Sequence, residues 1–337
     1  MGTGTSQGVP IIGCQCGVCR SNDPRDARLR ASALVEYGGL NILVDAGPDF
    51  RTQMVRAGVR HLDAILLTHN HMDHIGGLDD VRALNYIDRK PAYIYCEQKV
   101  LESLKIMYSY AFAEVKYPGA PEWRIRLIDD RPFIVEPNDS GDLVWMHDQG
   151  YCTRMPDGSI IPCGNDIVSH ARPAACHPSA LSPASCPPLS PDFSHSISPA
   201  SATALSPDSI PSLAQDNATA LSPENGVSII PIRGYHDRMP VLGFRFGDIA
   251  YITDISRLAD GEEDKLKGLK HLTLNTVSYH PHHSHLSLDE AIDLARKIGA
   301  EHTWLTHLSH TFPRYDEFAA QLPEGIAPAY DGLTITD

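Results

Sequence analysis

The sequence predicts a layered α/β domain, on three observations. Short β-type runs alternate with helical stretches, several runs are apolar enough to be buried, and the buried ones end in residues that bind metals. Residues 31–37 and 40–44 flank Gly38-Gly39 and predict a hairpin whose second strand delivers Asp45-Ala46-Gly47. A helix is expected over 49–57, with Gly58 beyond its end. The apolar run 64–67 leads directly into Thr68-His69-Asn70-His71-Met72-Asp73-His74. Gly76-Gly77 then allows close backbone approach before a helix expected to start near Leu78. Further on, 227–233 is β-type, and 243–246 with 249–253 predict a hairpin turning at Gly247-Asp248. Residues 288–297 have helical periodicity, and 303–306 form a strand running into His307.

At 337 residues with 42% hydrophobic content, the chain can bury a sizeable core. No apolar run approaches the roughly 20 residues that span a bilayer, and the start lacks a basic flank followed by an apolar stretch. The expected location is the cytoplasm. A net charge of −14 argues against a protein that grips nucleic-acid phosphates, though bound cations can reverse the charge locally. The eight cysteines do not form a disulfide pattern: Cys14, Cys16 and Cys19 are too tightly spaced for cross-links and suit a metal.

One stretch breaks the α/β pattern. Residues 173–224 contain ten prolines and no Lys or Arg, and repeat Ala-Leu-Ser-Pro at 180–183, 204–207 and 220–223. Such a segment cannot bury enough apolar surface to offset its ordering entropy, which predicts disorder. The stretch of about 137–172, which has some apolar content including 151–163, is expected to form a small hairpin. The organisation expected is a domain in two parts, 1–136 and 227–337, around an insertion at 137–226. Within that insertion Cys152, Cys163 and Cys186, like Cys176, read as free thiols rather than ligands.

Four residues of metal-ligand type fall within 69–74, at the end of a strand where a tight turn can aim His69 and His71 at one ion and Asp73 and His74 at a neighbour. Mixed imidazole and carboxylate donors suit zinc, manganese or iron. His236, Asp254 and His307 each lie near the end of a β-type run, and this repeated placement adds them to the candidate ligands.

His-x-His-x-Asp-His followed by isolated His, Asp and His resembles the metallo-β-lactamase superfamily of binuclear hydrolases. That resemblance implies an αββα sandwich, with His69, His71 and His236 on one ion and Asp73, His74 and His307 on the other. It also implies Asp254 as the bridge and Asp45 as a carboxylate orienting a ligand histidine. Two further motifs narrow it. The start, Gly2-Thr3-Gly4-Thr5-Ser6-Gln7-Gly8-Val9-Pro10, precedes Cys14-Gln15-Cys16-Gly17-Val18-Cys19, and the end carries Thr306-His307-Leu308-Ser309-His310 and Tyr330-Asp331-Gly332. Together these resemble the phosphoribosyl 1,2-cyclic phosphate phosphodiesterases. The resemblance implies a structural zinc on Cys14, Cys16, Cys19 and His310, a closed tetrahedral set.

The same resemblance makes His285 the proton donor to the leaving alkoxide and Asp73 a catalytic carboxylate as well as a ligand. His280, His282 and His283 read as a solvated loop, and His61, His271 and His302 as surface or packing residues. Asp331-Gly332 reads as a tight turn without chemistry. The family resemblance covers 1–136 and 227–337, and the chain starts at the glycine-rich loop without the short strand that precedes it in that family. The implied reaction is hydrolysis of a small anionic phosphodiester by two divalent ions, and dimerisation is implied only by the resemblance. An alternative is RNA processing like that of the tRNA 3′-end endonucleases, but an RNA-gripping arm should be basic, and none of residues 173–232 is Lys or Arg. Thioester or lactam hydrolysis is a third reading, and a purely interaction-based protein a fourth.

Overall fold

The computed structural model describes residues 1–117, 119–138, 142–146, 150–154, 159–162, 167–169 and 226–336. The disorder expected at 173–224, with Cys163, Cys176 and Cys186, lies outside the described residues. In chain order the strands are β1 (Ala33–Tyr37), β2 (Leu40–Val44), β3 (Ala64–Leu66), β4 (Ala92–Cys96), β5 (Trp123–Leu127) and β6 (Phe133–Val135). Next come β7 (Asp142–Met146), β8 (Gly150–Arg154), β9 (Ile160–Pro162) and β10 (Ile167–Ser169). The last seven are β11 (Val227–His236), β12 (Met239–Phe246), β13 (Ile249–Ile252), β14 (Arg257–Leu258), β15 (His271–Asn275), β16 (His302–Thr306) and β17 (Ile326–Pro328). The helices are α1 (Phe50–Ala57), α2 (Met72–Ile75), α3 (Arg82–Asp88), α4 (Gln98–Met107), α5 (Leu288–Ile298) and α6 (Tyr315–Ala319).

Two sheets carry the fold: β1-β2-β3-β4-β5-β10, and β14-β11-β12-β13-β15-β16-β17 with β6 paired to β11. Alternation along the strands explains how they stack, since successive side chains leave opposite faces. In β2, Leu43 faces the helices and packs near Phe50 of α1 and Leu101 of α4. Its neighbours Ile42 and Val44 face the other sheet, meeting Phe244, Phe246 and Tyr251. The second sheet repeats this: Ile252, Leu272 and Leu305 point outward to Leu288 and Ala291 of α5 and Phe318 of α6. Three apolar layers thus separate helices, sheet, sheet and helices, the αββα sandwich expected.

Several local features follow from sequence. Gly38 and Gly39 both have positive φ (58° and 82°), the pairing a two-residue hairpin turn requires. Gly58 caps α1 in the left-handed conformation. Helix α5 starts with a capping box between Ser287 and Glu290 and ends at Gly299. Within the stretch of about 137–172 where a small hairpin is expected, β7, β8 and β9 form an antiparallel three-stranded sheet. Cys152 in β8 is buried.

The helix expected near Leu78 starts there as a 3-10 turn, Leu78–Val81, that runs straight into α3 at Arg82, and a separate helical turn begins at Met72, inside the histidine cluster. Backbone crowding explains the break: a Cβ on Gly47 would lie 1.9 Å from the Asp73 carbonyl oxygen, and one on Gly77 2.0 Å from that of Gly47. Only glycine lets the β2 loop touch the histidine loop this closely.

His61, expected as a surface or packing residue, joins the end of α3 to the approach to β3. Its Nδ1 lies 2.7 Å from Asp88 and its Nε2 3.0 Å from Asp63. The hydrogen bond to Asp63, then that to Asp88, push its pKa up to about 9 against the effect of burial. A raised folded pKa stabilises below the unfolded value of about 6.5, and that contribution is lost as pH rises through about 9. His61→Gln should therefore flatten the decline of the urea midpoint between pH 6.5 and 9.5; parallel declines in both proteins would refute it. No helix among the described residues is long and apolar enough to cross a membrane.

Candidate metal centre

The parallel strands β2, β3, β13, β15 and β16 end on the same rim, where open α/β sheets place their ligands. Asp45 follows β2, the histidine cluster follows β3, Asp254 follows β13 and His307 follows β16. Asp45, Asp254 and His307 all have left-handed backbone (φ 62°, 57° and 57°). Each costs of order 1–3 kcal/mol at a non-glycine residue. The surrounding structure sustains three such turns because each aims a polar side chain at one point.

Three of the side chains are oriented by a buried relay. The Asp45 carboxylate accepts the Thr68 N–H at 2.9 Å, the Thr68 hydroxyl at 2.8 Å and His74 Nδ1–H at 2.7 Å. Because the Thr68 hydroxyl donates to Asp45, it accepts from His69 Nδ1–H, 2.9 Å away. Both imidazoles thus carry their proton on Nδ1 and turn Nε2 into the site. Asp45 was expected as an orienting carboxylate; Thr68 was not.

Asp254 sits at the centre. Its carboxylate accepts the Thr253 hydroxyl at 2.7 Å and faces His74 Nε2 at 3.2 Å, His307 Nε2 at 3.1 Å, His285 Nδ1 at 3.6 Å and His236 Nε2 at 3.9 Å. Asp73 lies 3.2 Å from His74 Nε2. The Asn275 side chain clamps the backbone after Asp254, accepting Ile255 N–H and donating to its carbonyl. A polar residue ending the apolar strand β15 is the only hint of this in sequence.

The potential donors form two groups sharing Asp254: Asp73, His74, Asp254 and His307, and His236, Asp254 and His285. His69 and His71 ring the second group, with centroids 4.7 Å from each other and 5.8 and 4.9 Å from His236. All seven expected active-site ligands therefore converge. His285, expected as a proton donor, stands closer to the donor set than that role alone requires.

The residues fit a pair of cations. His69 Nε2, His74 Nε2, His285 Nδ1 and both ring nitrogens of His307 are buried without a hydrogen-bond partner among the described residues, an arrangement costly unless an ion satisfies them. Burial opposes the charge on Asp254, yet His307 and His74 outweigh it and hold its carboxyl well below the usual range. Against burial, Asp254 in turn pushes His307 up to about 9. The site thus draws positive charge around two carboxylates. Burial, then His307, pushes His285 down to about 3.

A second cluster lies apart. The Cys14, Cys16 and Cys19 sulfurs are 3.3, 3.6 and 3.7 Å from His310 Nδ1. Zinc bond lengths at a tetrahedral angle put sulfur and nitrogen about 3.6 Å apart, so the set fits that ion. The Cys19 N–H donates to Cys16 Sγ, and this bond leads the effects that bring the Cys16 thiol down to about 6. Asp331, expected to do no more than turn the chain, pins this N-terminal loop. It accepts the Thr3 N–H and hydroxyl and the Leu29 N–H. Among the other histidines, His271 is buried and stacks on exposed His302 at 5.4 Å, as packing residues do.

Comparison with known proteins places this geometry in context. Residues 40–142 and 192–308 match the family model of the beta-lactamase superfamily domain. A crystal structure described as a new diphosphatase from the PhnP family superposes with a TM-score of 0.68 at 29% identity, covering 100% of this chain and 95% of that one. An octanoyltransferase of Porphyromonas gingivalis is 31% identical over 99% of this chain, which spans only 50% of that protein. Coenzyme PQQ synthesis protein B of Rhodopseudomonas palustris is 35% identical over 118 residues, 31% of this chain and 37% of that protein.

Proposed function

The chain belongs to the beta-lactamase superfamily, and from that premise we propose that this metal-dependent hydrolase cleaves a small phosphodiester, a cyclic one such as 5-phosphoribosyl 1,2-cyclic phosphate first among candidates. The observation that carries this reading is the carboxylate of Asp254 shared by two groups of donors. His69, His71, His236 and Asp254 would hold one ion, and Asp73, His74, His307 and Asp254 the other. When bound, two divalent ions, manganese or zinc or iron, supply charge stabilisation for phosphoryl oxygens and nucleophilic oxygen near neutral pH. Cys14, Cys16, Cys19 and His310 would hold a structural zinc that ties the N-terminal loop to the segment after β16.

The chain's own residues do the rest. Asp45 and Thr68 fix the tautomers of His74 and His69, so both Nε2 atoms are preset. His285 would hand a proton to the leaving alkoxide. Asp73 keeps His74 and His307 facing the reacting centre.

A second reading has its own support, since the PhnP-family structure is described as a diphosphatase. A phosphoanhydride would be attacked at phosphorus by the same arrangement. The octanoyltransferase name belongs to a protein of which the chain spans half, and it supplies no argument for acyl transfer at these residues. RNA fits poorly with a charge of −14 and an arm free of Lys and Arg.

The test is reconstitution with manganese or zinc, a count of bound metal, and assay on the cyclic diester, a nucleoside diphosphate and an acyl thioester. Metal-dependent turnover of the cyclic diester is expected. Turnover of the diphosphate alone would replace ester by anhydride, and turnover of neither with two ions bound would overturn chemistry at phosphorus.

A further inference from the structure

Ile255 joins two segments that carry site residues. Asp254 directly precedes it, and His285 directly precedes Leu286, whose N–H donates to the Ile255 carbonyl at 2.9 Å. Both backbone groups of Ile255 are also held by Asn275, a fully buried residue at the end of β15. Its Oδ1 accepts the Ile255 N–H at 2.9 Å, and its Nδ2 donates to the Ile255 carbonyl at 3.0 Å. That carbonyl thus takes two donors, one from Asn275 and one from the residue after His285.

The strand ladder explains why such a residue is needed. Strands β13 and β15 pair in parallel up to Ile252 and Leu274. Beyond them the chain turns away at Asp254 with φ 57°, and the ladder cannot continue. Ile255 is fully buried, so its N–H and C=O must find partners within the protein. A side-chain amide offers an acceptor and a donor as a strand's own peptide groups would, and Asn275 supplies it. On its other side Asn275 stands opposite Thr306 in the pairing of β15 with β16, one residue before His307.

The loop that delivers His285 closes on the same point. The Leu286 carbonyl accepts the Val277 N–H at 3.2 Å and the Thr276 hydroxyl at 3.3 Å. The Leu288 N–H then donates to the Ser278 carbonyl at 2.9 Å. Asp254 and His285 therefore hang from two sides of one hydrogen-bonded unit, and His285 Nδ1 comes within 3.6 Å of the carboxylate.

We propose that Asn275 is a positioning residue: through Ile255 it holds the Asp254 carboxylate and the His285 imidazole at a fixed separation, and so ties metal affinity to proton delivery. The part played by His285 rests on the phosphodiester reading above.

The test uses the full chain with Asn275→Leu, which fills the volume of the amide without its hydrogen bonds. Asn275→Ser is the milder companion, its hydroxyl too short to bridge both groups of Ile255. Two diesters are compared in the metal-loaded enzyme. The cyclic 5-phosphoribosyl 1,2-cyclic phosphate expels an alkoxide that needs a proton, whereas bis-p-nitrophenyl phosphate expels a stable phenolate that needs none. In Asn275→Leu, kcat for the cyclic diester should fall about 100-fold, and at least about tenfold more than for the nitrophenyl diester. Cobalt(II), titrated by its visible absorption, should bind about tenfold more weakly. Asn275→Ser should show both effects in the same direction, which decides the matter if the leucine variant does not fold. Loss of packing alone would lower both rates by one factor; that result overturns the proposal, as does unchanged cobalt affinity. If wild type with metal bound cleaves neither diester, the phosphodiester reading fails, and a crystal structure of the variant decides the positioning role. That role stands if the 3.6 Å between His285 Nδ1 and Asp254 widens by about 1 Å, a displacement large enough to disable a site, and it falls if the separation is unchanged.

Discussion

Asp254→Asn should lower the phosphodiester turnover proposed above by about 10³-fold or more, equivalent to ~4 kcal/mol of barrier, while leaving the fold intact. Asparagine adopts left-handed backbone as readily as aspartate, so the turn at φ 57° survives. The Asn275 clamp on Ile255 is untouched. What disappears is the negative charge that His74 and His307 face at 3.2 and 3.1 Å. Asparagine also keeps an oxygen to accept the Thr253 hydroxyl, so stability is expected to change little. Bound metal should fall by at least one ion per chain, read by elemental analysis, with circular dichroism unchanged. Turnover within tenfold of wild type and two ions retained would falsify the shared-carboxylate arrangement.

Much of this centre is legible in sequence because strand ends announce it. The apolar runs that become β2, β3, β13 and β16 lead into residues too polar for the core, and Asp45, His69, Asp254 and His307 sit there. The β1–β2 hairpin and α1 are local features marked by their glycines. What sequence does not disclose depends on pairing between distant strands. Thr68 receives His69 and contacts Asp45 only because β2 and β3 lie side by side in parallel. Asn275 reaches Ile255 only because β13 and β15 pair. Asp331 reads as a turn residue until the chain brings Leu29 to its carboxylate from 302 positions away. Helix α2 begins inside the histidine cluster because Gly47 and Gly77 admit a backbone crossing.

The second large effect is expected far from the reacting centre. Arg28→Met should destabilise the protein by about 3–5 kcal/mol. The Arg28 side chain is fully buried, and Asp26, its ion-pair partner at 3.8 Å, is 1% exposed. Burial pushes the guanidinium down in pKa, and Asp26, followed by Asp331 and Cys19, opposes that. Methionine fills most of the volume but leaves the buried Asp26 carboxylate without an ion-pair partner among the described residues, while the Ser309 carbonyl loses its bond from Nη1. Replacing one member of a buried pair costs more than replacing both, so Asp26→Asn with Arg28→Met should recover a substantial part of the loss. Asparagine keeps the Oδ1 that accepts the Tyr315 N–H at 2.8 Å, which isolates the charge from that hydrogen bond. Because Ser309 lies between His307 and His310, the single variant loaded with the zinc proposed for the cysteine cluster should also release it at lower chelator concentration than wild type. A urea midpoint corresponding to less than 1 kcal/mol of loss would mean the pair is a neutral bystander, and the N-terminal loop would then owe its position to Asp331 and the cysteine cluster alone.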